Sequence, residues 1–170
     1  MSNLQREEYR TAFKNDCLLF NQGKVCAINK RVLITGHTGF KGSWLLTWLL
    51  RKQAKLYGFS LNMKQEYSIY ECLKGEHSFS EKIEDIRSHN ILQNYIEEIQ
   101  PQIIFHMAAQ PLVRMSYDHP LDTWNINTLG TINLLNSLKV IKEKCAVIII
   151  SSSFKSVPSI YPRTFSPLIV

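Results

Sequence analysis

Short apolar runs and helically spaced apolar positions alternate along this chain. Five of the runs predict β-strands, at residues 31–35, 55–60, 79–84, 102–107 and 145–150. Between them, apolar residues recur at the spacing typical of helices that bury one face. Since strands that alternate with helices form parallel sheets, the pattern predicts an α/β fold, a partial doubly wound parallel sheet of about five strands over residues 30–150.

The predicted helices differ in length and in how their ends are marked. One follows residue 42, and a short one covers residues 66–73. Ser88 is expected to cap a third helix, and Pro101 to end it. The longest covers residues 121–142. The apolar positions are Trp44, Leu45, Trp48 and Leu49 on one buried face of the first helix, Ile91, Leu92, Tyr95, Ile96 and Ile99 on one face of the third, and Trp124, Leu135 and Leu138 among those of the longest.

Three glycines, Gly36, Gly39 and Gly42, lie between the first strand and the first helix. Glycines at such a strand–helix junction let the backbone turn sharply and approach a pyrophosphate, which then faces the positive end of the helix dipole. The spacing is G-x-x-G-x-x-G instead of the more usual G-x-G-x-x-G. The loop therefore predicts a dinucleotide-phosphate site in a Rossmann fold. The alternative is an ordinary glycine-rich turn that binds nothing.

The residues after the second strand bear on the choice of cofactor. NAD sites usually carry an acidic residue about 20 positions after the glycines, where it binds the ribose hydroxyls. Here the strand ends in Ser60, Leu61 and Asn62. The neutral Asn62 amide can bond a ribose hydroxyl and would not repel a 2′-phosphate, so NAD is expected and NADP is not excluded. Asn62 as a simple turn residue explains the sequence equally well.

Candidate site residues also follow the third and fourth strands. Asp85 and Ile86 lie where the carboxyl edge of a doubly wound sheet meets an adenine, although an acidic residue before a helix needs no ligand to explain it. Ala108 and Ala109, with Gln110, follow the fourth strand, and small residues there let a cofactor lie against the backbone. The preceding residue, His106, is interpreted as a packed histidine and not as a catalyst.

Composition and charge restrict the classes of function. The chain has 170 residues, 45% of them hydrophobic and 20% charged, as in a single globular domain. The net charge of +6 is dispersed, which argues against a nucleic-acid partner. There is no apolar run of membrane-spanning length and no secretory signal, so a cytoplasmic protein is expected. Scattered histidines, and four cysteines without a C-x-x-C pair, predict reduced thiols and no metal site.

Five segments together carry a resemblance to a known family. They are GHTGFKGSWL at 36–45, YGFSL at 57–61, DIR at 85–87, FHMAAQPLVRMSY at 105–117 and NTLGT at 127–131. They resemble the extended short-chain dehydrogenase/reductase family of NAD-dependent epimerases and dehydratases, and within it the sugar-nucleotide 4,6-dehydratases acting on CDP-glucose. The resemblance covers residues 30–150, which correspond to about the first half of such an enzyme.

The resemblance implies a role for each candidate residue. Such an enzyme takes a hydride from C4 of a nucleotide-linked hexose, eliminates water across C5 and C6, and returns the hydride to C6. A nucleotide sugar is therefore the implied substrate. The residues implied to bind NAD are Gly36, Thr38, Gly39, Phe40 and Gly42 around the pyrophosphate, Ser60, Asn62, Asp85 and Ile86 around the adenosine, and Ala108, Ala109 and Gln110 at the nicotinamide; those implied to bind the substrate are Arg114, Ser116 and Tyr117.

The resemblance stops abruptly after the fifth strand. The family continues into Thr-Ser-Asp-Lys and later Tyr-x-x-x-Lys, whose tyrosine is the base for hydride removal. Here Ser151 stands at the threonine position as the one catalytic candidate, while Ser153 and Phe154 replace the acidic and lysine residues. Tyr161 is followed four residues later by Phe165. The general base is expected to be absent, and a frameshifted or truncated coding sequence is the hypothesis that explains the change.

Three functional hypotheses follow. The first is an inactive chain of the sugar-nucleotide 4,6-dehydratase type. The others are a non-catalytic NAD(P)-binding module that acts with a partner, and an epimerase or reductase with substituted catalytic groups. Residues 1–29 are expected to form an extension and residues 151–170 an irregular tail. A homodimer is compatible with each hypothesis, and an unpaired fifth strand predicts poor solubility.

Overall fold

The computed structural model describes residues 29–62, 68–74 and 79–150. The predicted extension, apart from Asn29, lies outside these ranges. The predicted tail lies outside them as well, and with it Ser151 and the substituted positions that follow. Part of the helix predicted at residues 66–73 is also outside the described residues.

Five parallel strands form one sheet with the order β3-β2-β1-β4-β5. This arrangement confirms the predicted doubly wound α/β fold. Because the strands are parallel, the loops that follow β1, β2, β3 and β4 all meet at one edge of the sheet. The strands are β1 (Arg31–Thr35), β2 (Lys55–Ser60), β3 (Ser80–Ile83), β4 (Ile103–His106) and β5 (Ala146–Ile149).

Six α-helices flank the sheet in the described part of the chain. The helix predicted at 121–142 is interrupted by a π-helical turn, Asn125–Leu129, and is followed by a 3-10 turn, Leu138–Val140. The short helix after the fourth strand, α4, was not predicted. The helices are α1 (Phe40–Arg51), α2 (Ile69–Lys74), α3 (His89–Ile99), α4 (Val113–Asp118), α5 (Pro120–Trp124) and α6 (Gly130–Ser137).

Ser88 precedes α3 but does not cap it, which corrects the prediction. Its hydroxyl donates to the Glu84 carboxylate at 3.3 Å, and α3 has no side-chain cap. A capping hydroxyl accepts an N–H group of the first helical turn, whereas this hydroxyl is turned toward the Glu84 carboxylate and accepts none of them. At the other end, Gln100 adopts a left-handed conformation with φ of 45°, and the helix stops before Pro101 as predicted.

The core has two layers because successive residues of β1 point to opposite faces of the sheet. Val32 and Ile34 belong to the layer under α1, while Leu33 belongs to the layer under α3 and α6. All three are fully buried. A strand covered on both faces needs a continuous apolar run, which is why β1 was recognisable from the sequence.

Burial does not follow the apolar positions of the sequence in two helices. Trp124 and Leu135 are 66% and 45% exposed, and the fully buried apolar residue of α6 is Leu134. The inward row of α6 is Gly130, Leu134 and Ser137. A small and a polar residue make up most of that row, so the apolar positions of this helix do not indicate its buried face. In α1, likewise, the prediction included Leu49 but omitted the equally buried Leu46.

Three further predictions concern the described residues. β5 pairs with β4 on one side and with no other described strand, so it is an edge of the sheet there. None of the helices described is both long and apolar enough to cross a membrane. The described residues also contain no cluster of three or more potential metal ligands.

Candidate cofactor-binding site

Two glycines of the loop after β1 are required by the packing of the protein itself. Gly36 has φ of 76°, a conformation that favours glycine. A Cβ there would lie 2.7 Å from the Ala108 nitrogen, in the loop after β4. A Cβ on Gly42 would overlap the Gly36 carbonyl oxygen. These two glycines let the turn fold back tightly against the start of α1.

No residue in the described part of the chain gives Gly39 such an explanation. Its φ of −73° and ψ of 167° suit any residue, and a Cβ would meet only the Gly36 oxygen at an ordinary 3.4 Å. The space in front of Gly39 is therefore open. The first N–H groups of α1 begin at this point without acceptors inside the helix, and the first turn carries no acidic side chain. This open cradle fits the pyrophosphate of a dinucleotide, which binds where helix N–H groups and the helix dipole converge.

Thr38 and Ser60 fasten the loop to the end of β2. The Thr38 hydroxyl donates to the Leu61 carbonyl at 2.9 Å and lies 2.8 Å from the Ser60 hydroxyl. Because Thr38 has one proton, Ser60 must be the donor in the second bond. Both side chains are buried, so they position the loop, while Asn62 and Phe40 are the predicted residues left exposed beside it.

A second contact braces the back of the same loop. The buried His37 ring lies against Gly58 of β2, where a Cβ would be 2.5 Å from His37 Cε1. His37 Nε2 contacts the Glu81 carboxylate at 2.8 Å, and the Tyr70 hydroxyl donates to the same oxygen at 2.7 Å. Burial, followed by Glu81, raises the pKa of Tyr70. The glycine of the YGFS segment therefore makes room for His37, a link that the sequence did not indicate.

Asp85 and Ile86 occupy the loop after β3, but in different environments. Arg87 surrounds the Asp85 carboxylate: its backbone N–H donates at 2.8 Å, and its guanidinium donates through Nη2 at 2.7 Å. These hydrogen bonds hold the pKa of Asp85 below its ordinary value. Ile86 is 5% exposed and packs against Gly130. Asp85 is thus fixed as a carboxylate at the predicted adenine end, while the Ile86 side chain belongs to the core.

Asn127 holds the loop after β4. The Gln110 backbone N–H donates to Asn127 Oδ1 at 2.8 Å, and Asn127 Nδ2 donates to the Gln110 carbonyl at 3.3 Å. Gln110 Nε2 donates to the Thr123 hydroxyl and the Leu112 carbonyl. The family resemblance implies a structural role in the long helix for Asn127. The structure shows that it fixes the backbone of the segment predicted to receive the nicotinamide.

The three predicted substrate residues are not brought together in a pocket. All lie on α4, where the Arg114 side chain is 94% exposed and 3.9 Å from Asp118. The Ser116 hydroxyl donates to the Val113 carbonyl at 2.6 Å, and Tyr117 is 69% exposed. A neighbouring pocket of ≈ 370 Å³ lies between α4, α5 and the loops after β3 and β4, and its lining residues are Arg87, Gln110, Met115, His119, Asp122, Thr123 and Ile126.

Comparison with known proteins agrees with this geometry. CDP-glucose 4,6-dehydratase from Salmonella typhimurium is 45% identical over 123 residues, which are 72% of this chain and 34% of that protein. GDP-mannose 4,6 dehydratase 2 from Caenorhabditis elegans is 34% identical over 127 residues, covering 70% of this chain and 33% of the relative. The chain thus spans about a third of the length of these relatives.

A solved structure supports the same relationship. UDP-glucose 4-epimerase from Thermus thermophilus, crystallised as a complex with NAD, is 27% identical with a TM-score of 0.55, over 64% of this chain and 33% of that one. The sequence model of the GDP-mannose 4,6 dehydratase family matches residues 33–154, most of the chain. The chain belongs to the GDP-mannose 4,6 dehydratase family, a group within the NAD-dependent epimerases and dehydratases.

Proposed function

We propose that this chain binds NAD through the loop after β1, as the cofactor-binding part of a sugar-nucleotide 4,6-dehydratase acting on CDP-glucose. The observation that carries the proposal is the open cradle at Gly39. That glycine serves neither backbone conformation nor internal packing, so a ligand that lies against the backbone explains it. The 45% identity to a CDP-glucose 4,6-dehydratase supports the choice of substrate class.

The other predicted residues have places in this proposal. Asp85 and Asn62 face the adenosine, and Asn62 leaves NADP as a second cofactor because it carries no negative charge. The loop from Ala108 to Gln110, fixed by Asn127, receives the nicotinamide. When bound, NAD supplies a hydride acceptor. On this proposal Arg114, Ser116 and Tyr117 contribute to sugar-nucleotide binding from α4.

We do not expect this chain by itself to convert a sugar nucleotide. The sequence after β5 has serine and phenylalanine where the family has its acidic and lysine residues, and Tyr161 has no lysine four positions on. These positions therefore offer neither the acidic group nor the lysines of the family for proton transfer. We propose binding without catalysis, as a chain of the dehydratase type or as an NAD(P)-binding module that works with a partner.

An exposed apolar row supports a homodimer. Large apolar side chains that are 45–78% exposed line the helical stretch from α5 to α6. Apolar patches of this kind mark interaction surfaces, and a two-fold axis would let the same patch meet itself. Sedimentation of the chain and of an Ile132→Lys variant tests this: a wild-type dimer that dissociates in the variant is expected, and a wild-type monomer contradicts it. The row consists of Leu121, Trp124, Leu129, Ile132 and Leu135.

The proposal also implies a cytoplasmic location. Cys72 and Cys145 are free thiols among the described residues, as is usual in a reducing compartment. Fractionation of cells that produce the full chain checks this location.

Calorimetric titration with NAD, NADP and CDP-glucose tests the binding proposal. Gly39→Ala should melt at the wild-type temperature, because a Cβ fits there, yet its NAD affinity should fall at least tenfold. Asn94→Ala, on the exposed side of α3, is the matched surface control and should bind like wild type. A wild-type chain that binds none of the three ligands would overturn the proposal. A 4-keto-sugar assay should show no turnover.

A further inference from the structure

The hydrogen bonds of Thr35 define the protonation of a buried histidine. Thr35 Oγ1 accepts the backbone N–H groups of Met107 and Ala108, each at 3.2 Å, and lies 2.7 Å from His106 Nδ1. A threonine hydroxyl has two lone pairs and one proton. Both lone pairs face N–H groups, that of Met107 being shared with the Thr35 carbonyl oxygen at 3.1 Å, so the hydroxyl proton is directed to His106. Nδ1 is therefore an acceptor and carries no hydrogen.

The direction of the remaining bonds follows from that assignment. A neutral ring with a bare Nδ1 carries its proton on Nε2, which lies 2.9 Å from Thr131 Oγ1. Thr131 in turn donates its own proton to the Asn127 carbonyl at 2.7 Å. His106 is 3% exposed, and burial lowers the pKa of its imidazole to about 4. The ring is neutral at physiological pH, as this sequence of donors requires.

The series of hydrogen bonds from Thr35 through His106 and Thr131 ends at Asn127, which holds the loop after β4. Asn127 lies in the π-helical turn Asn125–Leu129, a type of turn found frequently at functional sites. Its backbone carbonyl accepts the hydrogen bond from Thr131, while both polar atoms of its side-chain amide bond the Gln110 backbone. One continuous set of hydrogen bonds thus connects the end of β1 to the segment after β4.

We propose that His106, as the neutral Nε2–H tautomer, is a positioning residue that holds the segment from Ala108 to Gln110 in place through Thr131 and Asn127. The inference rests on the proposed function, because the role given to His106 is to preorganise the nicotinamide side of the cofactor site. The Nδ1–H tautomer would present a donor to a Thr35 oxygen whose lone pairs are already occupied. Thr35 Oγ1 would then face three donors with two lone pairs, so its contact with the Met107 or Ala108 N–H group would weaken.

The experiment compares two threonines that make the same local bond. Thr131 and Thr47 each donate to a carbonyl four residues earlier at 2.7 Å, but only Thr131 also contacts His106. Thr131→Val should move the Gln110 amide signal in NMR spectra of the full chain and weaken NAD binding by about threefold to tenfold. Thr47→Val should do neither.

Long-range proton–nitrogen correlation spectra give the tautomer directly. The His106 signals, assigned by their loss in His106→Gln, should show a bare Nδ1 and a protonated Nε2. The glutamine retains a donor toward Thr131, so it should perturb Gln110 less than His106→Leu does. These readouts need no cofactor. An Nδ1–H tautomer, or a Gln110 signal that Thr131→Val leaves unchanged, overturns the positioning role, whereas a wild-type chain without NAD affinity overturns the proposed function alone.

Discussion

Acidification should destabilise this protein through His106. Burial lowers the pKa of the imidazole from 6.5 to about 4, so the folded state resists a proton that the unfolded chain accepts. The stabilising effect of the neutral ring is complete above pH 6.5 and is lost as the pH falls toward 4. At pH 5 protonation of the imidazole shifts the folding equilibrium toward the unfolded chain by a factor of about 30, which corresponds to a loss of about 2 kcal/mol in the free energy of unfolding.

Urea unfolding at pH 8, 6 and 5, followed by tryptophan fluorescence, measures this loss. His106→Gln is the reference, because it keeps a polar side chain at the site and removes the titration. The wild type should lose about 2 kcal/mol more than this variant between pH 8 and pH 5, and about 1 kcal/mol more between pH 8 and pH 6.

Other groups do not reproduce that difference. They titrate in both proteins and cancel in the comparison. Asp85 has a lowered pKa, so its contribution is present above an unfolded value of 3.8 and is lost only at more acidic pH. Equal losses in the wild type and in His106→Gln would refute the reasoning that burial of a neutral His106 controls acid stability.

Two packing predictions use the same unfolding assay. Gly58→Ala should lower the free energy of unfolding by about 1–3 kcal/mol, because its Cβ would lie 2.5 Å from His37 Cε1; wild-type stability would show that the His37 ring can move aside. Leu134→Ala should cost about 2–5 kcal/mol, since Leu134 is fully buried. In the Ile132→Lys variant, which is expected to be monomeric, the neighbouring Leu135→Ala should cost less than about 1 kcal/mol at a position 45% exposed, and comparable losses would contradict the observed face of α6.

The sheet was predictable because its local signals agree with its tertiary environment. β1 lies between two layers, so its continuous apolar run indicates both that it is a strand and that it is buried. The glycines after it marked the first crossover. The long helix gave less information, because its inward row uses Gly130 and Ser137 and its outward row is apolar. A pattern of hydrophobic positions cannot distinguish a core face from an interaction face when small residues fill the core side.

The sequence indicated the positions of the candidate site residues best where their structural roles are local. Gly36 and Gly42 could be located from spacing alone, since they act within one turn. Thr35 and Asn127 act on residues 72 or 73 and 17 positions away in the sequence, and no local pattern marks them. His106 was interpreted as a packed histidine, and it is buried. The sequence did not indicate the direction of the His106 hydrogen bonds, because that direction depends on the single hydroxyl proton of Thr35.

The three loop glycines also show why a fingerprint does not by itself establish a ligand. Gly36 and Gly42 would be needed even if nothing bound, because a side chain at either would collide with the protein's own backbone. A glycine-rich turn that binds nothing would therefore keep those two and could replace the third. Gly39 is the position where the two explanations differ, since it is glycine without any internal requirement. Substitution there separates cofactor binding from folding, and substitution at the other two would confound them.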